Sequence, residues 1–239
     1  MYLVFILILI LILIYMYFKG GYYYNKISHC DISDDISDDF CGIKIFDYQM
    51  PQNLCQLLID HSHKAKRVNI ESWKYGKTLS TKGMPNEILE FYFNFADNIS
   101  NLIGEKVYTT PLNLPTTCCL LVYDEPGDFI NWHFDVNYFD GRFFTVLIPI
   151  TLDDSCTNFR YKNHKSENVD VNINTLNKSV VFEGDNLFHM ATKLCNDDSP
   201  RMVLSLQYTT NPNINYINYF LMNLKDLAYV PVFGTLKSI

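Results

Sequence analysis

A chain of 239 residues with 48% apolar side chains can bury one core of catalytic size and leaves little for a second domain. Its formal net charge of -7 lacks the surplus of Lys and Arg that phosphate neutralisation requires, so nucleic acid is not an expected partner. The seven cysteines, Cys30, Cys41, Cys55, Cys118, Cys119, Cys156 and Cys195, are odd in number, scattered and without CxxC spacing, and are expected as buried or free thiols.

Tyr2 to Phe18 reads YLVFILILILILIYMYF, an apolar run without charge, Gly or Pro. At about 1.5 Å per residue it spans roughly 25 Å, the short end of the transmembrane range, and its tyrosines suit the interface. No basic start or small-residue cleavage site accompanies it, so residues 1–19 are expected to be an uncleaved transmembrane anchor. Lys19 and Lys26 follow the run and favour a cytoplasmic domain, but two basic residues leave the side of the membrane open, as do the acceptor triplets at Asn98 and Asn177. Residues 20–40 repeat an Ile-Ser-Asp-Asp unit and gather five aspartates without apolar periodicity. An acidic linker is expected there, since a calcium loop would need a turn glycine and a closing Glu.

From Gly42 the alternation in GIKIFDYQM predicts a strand, and Pro51 then opens a helix through Leu54, Leu57, Leu58 and His61. Pro85 opens a second helix, with Ile88, Leu89, Tyr92, Phe95, Ala96, Ile99 and Leu102 recurring at three and four. After Pro115 the chain becomes short apolar runs broken by turn residues: CCLLVYDEPGDF, INWHFDV, RFFTVLIPIT, KSVVFEGD, LFHMATKL and RMVLSLQYTT. That spacing predicts an antiparallel β architecture over 41–211, a double-stranded β-helix (jelly-roll) core flanked by the N-terminal helices. Residues 212–239 are expected to be a C-terminal packing segment.

Trp132-His133-Phe134-Asp135 sets an imidazole and a carboxylate two residues apart, on one face of an extended backbone. His189, on a later strand-like run, is the candidate third ligand. Two histidines and one carboxylate leave open positions on an octahedral ion, which suits Fe(II) binding a chelating cosubstrate together with O2; zinc is more often held by a closed tetrahedral set. Arg201 begins Arg201-Met202-Val203-Leu204-Ser205, where alternation sends Arg201, Val203 and Ser205 to one face. A guanidinium pairs bidentately with a carboxylate, and 2-oxoglutarate has one to spare after chelating iron.

Through these residues the chain resembles the Fe(II)/2-oxoglutarate dioxygenase family, specifically its prolyl 4-hydroxylase-like branch. The likeness runs from about Gly42 to Tyr208 and includes Tyr123, ten residues before His133, and Gly141-Arg142-Phe143-Phe144-Thr145 leading into an apolar strand. It implies iron at His133, Asp135 and His189, which are then also the catalytic centre, and 2-oxoglutarate contacts from Arg201, Ser205, Tyr123 and Thr145. It further implies decarboxylation of 2-oxoglutarate to succinate and CO2, hydroxylation of a peptidyl side chain (prolyl first, lysyl second), and a requirement for ascorbate shared by many relatives. Three positions depart from relatives. Ile148-Pro149-Ile150 stands where some carry a tyrosine that reaches the cosubstrate. Arg201 stands where collagen-type enzymes have Lys, and Gln207 replaces the second arginine of base demethylases. The alternatives are a non-catalytic membrane-tethered β-helix binding module and an oxygenase of small molecules or nucleic acid. His61 and His63 are expected on the surface, His164 in a polar loop, and Asp153, Asp154 and Cys156 as structural residues.

Overall fold

The computed structural model describes residues 42–70, 72–151, 158–163, 165–173, 178–196, 199–214 and 218. The expected anchor (1–19), the linker (20–40) and nearly all of the C-terminal packing segment lie outside the described residues, as do Asp153, Asp154, Cys156, His164 and Asn177. Among the described residues no helix is long and apolar enough to cross a membrane.

In chain order the elements are β1 (Ile43–Asp47), α1 (Gln52–His61), a 3-10 turn (Ser62–Lys64), β2 (Lys66–Ile70), β3 (Lys74–Leu79), a second 3-10 turn (Thr81–Gly83), α2 (Asn86–Ile103), β4 (Tyr108–Thr109), β5 (Cys118–Tyr123), β6 (Phe129–His133), β7 (Phe143–Pro149), β8 (Phe159–Lys162), β9 (Asn168–Val171), β10 (Lys178–Glu183), β11 (His189–Ala191) and β12 (Arg201–Thr209). The strand following Gly42 and the helices opened by Pro51 and Pro85 fall where the pattern predicts. All pairings are antiparallel, and the strands form one continuous order β1-β10-β7-β12-β5-β3-β6-β11-β8-β9, with β2 on β3 and β4 on β12.

The period-two alternation divides this sheet into two apolar layers. One face of β5, β7 and β12 (Cys118, Leu120, Val122; Phe144, Val146, Ile148; Leu204, Leu206, Tyr208) packs against the buried stripe Ile88, Tyr92, Phe95, Ile99 and Ile103 of α2. The opposite face sends Leu147, Val180, Phe182 and Val203 against Phe159, Tyr161, Val171 and Leu187. Both faces of β7 are therefore covered, which is why it reads as an uninterrupted apolar run. Tyr92 fastens the helix to the sheet: its hydroxyl donates to Gln207 O at 2.6 Å and accepts from Thr110 N at 2.8 Å, while Tyr208 Oη donates to Tyr92 O at 2.9 Å.

Three features depart from the sequence reading. A hairpin, β2–β3, fills the segment between the two helices, and a second, β8–β9, lies between β7 and β10. LFHMATKL contributes a strand of three residues only. The cysteine expectation is corrected at one position: Cys55, Cys118 and Cys119 are free thiols, whereas Cys195 is disulfide-bonded. Odd number and irregular spacing could not exclude this, because which cysteines meet is decided by the fold.

Candidate metal centre and its carboxylate pocket

His133 is the last residue of β6 and His189 the first of β11, and the antiparallel register sets them directly opposite each other. Their ring centroids are 4.2 Å apart. Each ring is turned by its own backbone: His133 Nδ1 lies 2.7 Å from Asn131 O and His189 Nδ1 lies 2.8 Å from Leu187 O. A carbonyl only accepts, so each Nδ1 carries the proton and each Nε2 offers its lone pair to the space between the strands. Burial, together with the neighbouring His133, pulls the His189 pKa down to about 4, which keeps this imidazole neutral and able to ligate.

Asp135 lies two residues beyond the end of β6. Its backbone N–H donates to Gly184 O at 2.8 Å, and its Oδ2 accepts from Thr145 Oγ1 at 2.5 Å. Oδ1 is left 3.7 Å from His133 Nε2 and 4.0 Å from His189 Nε2. Ligand atoms of all three residues lie within 4.8 Å of one another, and no other group of His, Cys, Asp and Glu among the described residues is arranged to hold a metal. Two neutral imidazoles and one carboxylate, their orientations fixed by backbone carbonyls and a hydroxyl, suit a divalent ion of intermediate softness.

Gly184 explains how the carboxylate fits. A Cβ there would lie 2.7 Å from Asp135 Oδ2 and 2.9 Å from Thr145 Oγ1, so the strand end must be bare for the Asp135–Thr145 bond to form. Gly141 has a comparable role in the Gly-Arg motif, where a Cβ would meet Asn211 N at 2.2 Å. That close approach lets Arg142 donate from Nε to Glu183 Oε1 and from Nη1 to Glu105 Oε2, each at 2.7 Å.

Arg201 heads β12 opposite Tyr123 of β5, with its guanidinium carbon 5.0 Å from the Tyr123 ring centroid. It is only 2% exposed, yet Nε and Nη1 have no hydrogen-bond partner. Burial lowers its pKa, although a guanidinium stays charged at any working pH. Burial likewise pushes the Tyr123 phenol up to about 12. Ser205 lies opposite Cys119 in the same ladder; burial pushes the Cys119 thiol up to about 11, while a hydrogen bond with Ser205 and the charge of Lys74 act in the other direction. Of the residues expected to face the cosubstrate, Arg201, Tyr123 and Ser205 thus share the inner face of β5 and β12, and Thr145 directs its hydroxyl to Asp135. Sequence reasoning missed Gly184, whose position directly after an apolar strand was the one available signal. It also missed the inner face of β3.

Trp73, 37% exposed, has its ring 5.8 Å from that of His133, beside the metal ligands. Trp132, Phe134 and Phe188 alternate with the ligands and cluster on the opposite face of β6 and β11, Trp132 on Phe188 at 5.3 Å and Phe134 on Phe188 at 4.9 Å. Val136 next to them is 49% exposed.

No protein-family model matches the chain, and no curated protein is similar to it in sequence. Its fold has many likenesses among solved structures. A prolyl-4-hydroxylase from Pseudomonas putida superposes with a TM-score of 0.53 at 15% identity, over 72% of this chain and 94% of that one. A prolyl hydroxylase from Trichoplax adhaerens, solved with a hypoxia-inducible-factor oxygen degradation domain peptide, gives 0.54 at 14% identity, over 71% and 84%. A 2OG-Fe(II) oxygenase-family oxidoreductase from Burkholderia pseudomallei gives 0.57 at 12% identity, over 73% and 88%. The chain has the fold of the 2-oxoglutarate/Fe(II) oxygenases, prolyl hydroxylases among them, and within that fold it carries a His-Asp-His group able to hold a metal.

Proposed function

We propose that the chain is a membrane-anchored Fe(II)/2-oxoglutarate-dependent dioxygenase that hydroxylates a peptidyl side chain, prolyl in preference to lysyl. The observation that carries this reading is Arg201: a guanidinium 2% exposed, with two N–H-bearing atoms unpartnered, on the wall that leads from Ser205 past Tyr123. An unpaired buried charge is costly, and it is tolerated where a ligand completes it. A carboxylate answers that need.

His133, Asp135 and His189 would hold Fe(II), and Arg201 would bind the distal carboxylate of 2-oxoglutarate with Tyr123 and Ser205 lining its path. When bound, iron, 2-oxoglutarate and O2 supply oxidative decarboxylation to succinate and CO2 coupled to hydroxylation of a C–H bond. The chain's own contribution is orientation. The Asn131 and Leu187 carbonyls fix the imidazole tautomers, Thr145 fixes the carboxylate, and the apolar layer around Phe159, Phe182 and Leu187 keeps water from His189. The exposed ring of Trp73 beside His133 suits a pyrrolidine ring, whose C–H groups pack well on an aromatic face. A fold neighbour that holds a peptide supports a peptide substrate. Ascorbate is proposed as the reductant that maintains Fe(II).

The apolar run of residues 1–19 supports attachment to a membrane, and the disulfide at Cys195 favours an oxidising compartment for the domain. Incubation of the purified protein with Fe(II), 2-oxoglutarate and pools of prolyl and lysyl peptides should yield succinate in proportion to hydroxylated peptide. Absence of succinate under every condition, with metal content unchanged in His133→Ala, would remove the enzyme reading. Protease digestion of sealed vesicles should leave the domain protected if it is lumenal and cleave it if it is cytoplasmic.

A further inference from the structure

The β2–β3 hairpin inserts β3 between β5 and β6, the strand that ends at His133. Thr78 lies opposite Leu121 of β5 and Lys74 opposite Ile130 of β6. Leu121 and Ile130 pack with Tyr123, so alternation turns Lys74 and Thr78 to the pocket face and Lys77 away from it. Lys77 accordingly pairs with Asp124, and neighbouring Arg67 takes Asp124 and Asp128 at 2.7 and 2.9 Å. Lys74 has no such partner. Its Nζ donates to Thr78 Oγ1 at 2.9 Å, and no carboxylate among the described residues is in ion-pair contact with it. Burial lowers its pKa, with the Cys119 thiol opposing.

The ladder places the ammonium along the pocket: Thr78, which holds it, lies opposite Leu121, two residues from Cys119. Cys119 pairs with Ser205, and the next inner residue of β12, Gln207, pairs with Thr145, which bonds Asp135, so this is the end nearest the metal ligands. Leu121 pairs in turn with Val203, two residues from Arg201 on β12, or about 7 Å along the wall at 3.3 Å per residue. The inner wall therefore carries two cations in line, Lys74 the nearer to the metal ligands and Arg201 the farther, beside the carboxylate of Asp135, whose Oδ2 is already engaged by Thr145. Two separated, partner-poor cations match a dicarboxylate.

We propose that Lys74 is a second carboxylate-binding residue of this pocket, gripping the keto-acid end of the cosubstrate while Arg201 grips the distal end. This rests on the 2-oxoglutarate reading above and assigns Lys74 a role that neither the His/Asp/His pattern nor the strand alternation around Arg201 indicates. Its consequence is specificity: Lys74 selects any 2-oxoacid, and Arg201 selects among them for a second carboxylate.

Calorimetric titration of the Mn(II)-loaded protein without O2 separates the two contacts, using 2-oxoglutarate and 2-oxopentanoate, which lacks the distal carboxylate. Removing a hydrogen bond to a charged group lowers affinity about tenfold or more. Lys74→Met should lose that factor for both ligands, Lys74→Arg should recover most of it, and Arg201→Met should lose it for 2-oxoglutarate alone. Circular dichroism verifies that each variant is folded. Folded Lys74→Met that binds both oxoacids as wild type does would overturn the assignment and leave the oxygenase reading intact. Wild-type protein that binds neither oxoacid would overturn both.

Discussion

Gly184→Ala tests the metal centre without touching any ligand. The added methyl would begin 2.7 Å from Asp135 Oδ2, 2.9 Å from Asp135 Cβ and 2.9 Å from Thr145 Oγ1, at least half an ångström inside normal contact with each. Two outcomes are sterically open, and both displace the carboxylate. Either Asp135 swings away and loses the 2.5 Å bond from Thr145, or the Gly184 carbonyl withdraws from its 2.8 Å bond with the Asp135 N–H. Overpacking of this kind costs about 1–3 kcal/mol in stability. Disturbing a group that orients a ligand typically costs about 10- to 100-fold in metal affinity, or about 1.4–2.8 kcal/mol. Titration with Co(II), followed by calorimetry and by the visible spectrum of the ion, reads affinity and coordination separately. Thr145→Val, which removes the hydroxyl and adds no new clash at Gly184, should reproduce the affinity loss with a smaller stability loss. A Gly184→Ala variant that binds Co(II) as tightly as wild type, with the same spectrum, would show that Asp135 is not a ligand in this geometry.

Arg201→Met should separate binding from stability. It replaces a buried, unpaired cation by an apolar chain, a change that often stabilises by about 1–4 kcal/mol, less about 0.5–2 kcal/mol for the contact with Tyr123. The ligand-free melting temperature should rise by a few degrees while stabilisation by added 2-oxoglutarate disappears; a fall in melting temperature would mean that the guanidinium is paired in solution. Acid should weaken the metal-free fold through His189. Its folded pKa near 4 lies below the ordinary 6.5, so the unfolded chain takes up the proton first as pH falls, and stability drops between about pH 6.5 and 4 by up to about 3 kcal/mol. The difference in urea midpoint between about pH 7 and pH 5 should shrink in His189→Gln, and an unchanged difference would refute this.

The parts of the fold legible in the sequence are those where burial follows one period. Strand β5 alternates between two buried layers, and α2 presents a single apolar stripe to one of them, so their limits stand out in CCLLVY and in the spacing after Pro85. The β2–β3 hairpin gives no such signal. Most of its residues are only partly buried, and Lys66, Arg67, Lys74 and Lys77 interrupt any alternation, because one face meets solvent and ion pairs while the other meets a polar pocket. For the same reason Lys74 is invisible as a site residue: its meaning depends on β3 pairing with β5 and β6, strands some fifty residues further on. His133, Asp135 and His189 were readable because residue type and spacing carry coordination chemistry by themselves. Gly184 and the Asn131 and Leu187 carbonyls were not, since backbone groups and a missing Cβ leave no side-chain signature.

The two layers of the sheet have different burdens, and the difference accounts for how the site is tolerated. Among the described residues the inner wall holds several costly groups: Arg201 with Nε and Nη1 unpaired, Lys74 without a counterion, and a desolvated His189. Each lowers the stability of the empty protein. The outer face of β5, β7 and β12 packs its apolar residues on α2 and is pinned by the hydrogen bonds of Tyr92 and Tyr208. Because successive residues of one strand point to opposite faces, a strand such as β12 places Leu204 and Leu206 in the stabilising layer and Ser205 between them in the pocket. A one-residue slip of β12 against β5 would exchange those sets, burying Ser205 under the helix and removing Arg201 from the pocket. The register that secures the core is thus the same register that assembles the site, and selection for binding at Arg201 constrains the packing of α2 through the strand they share.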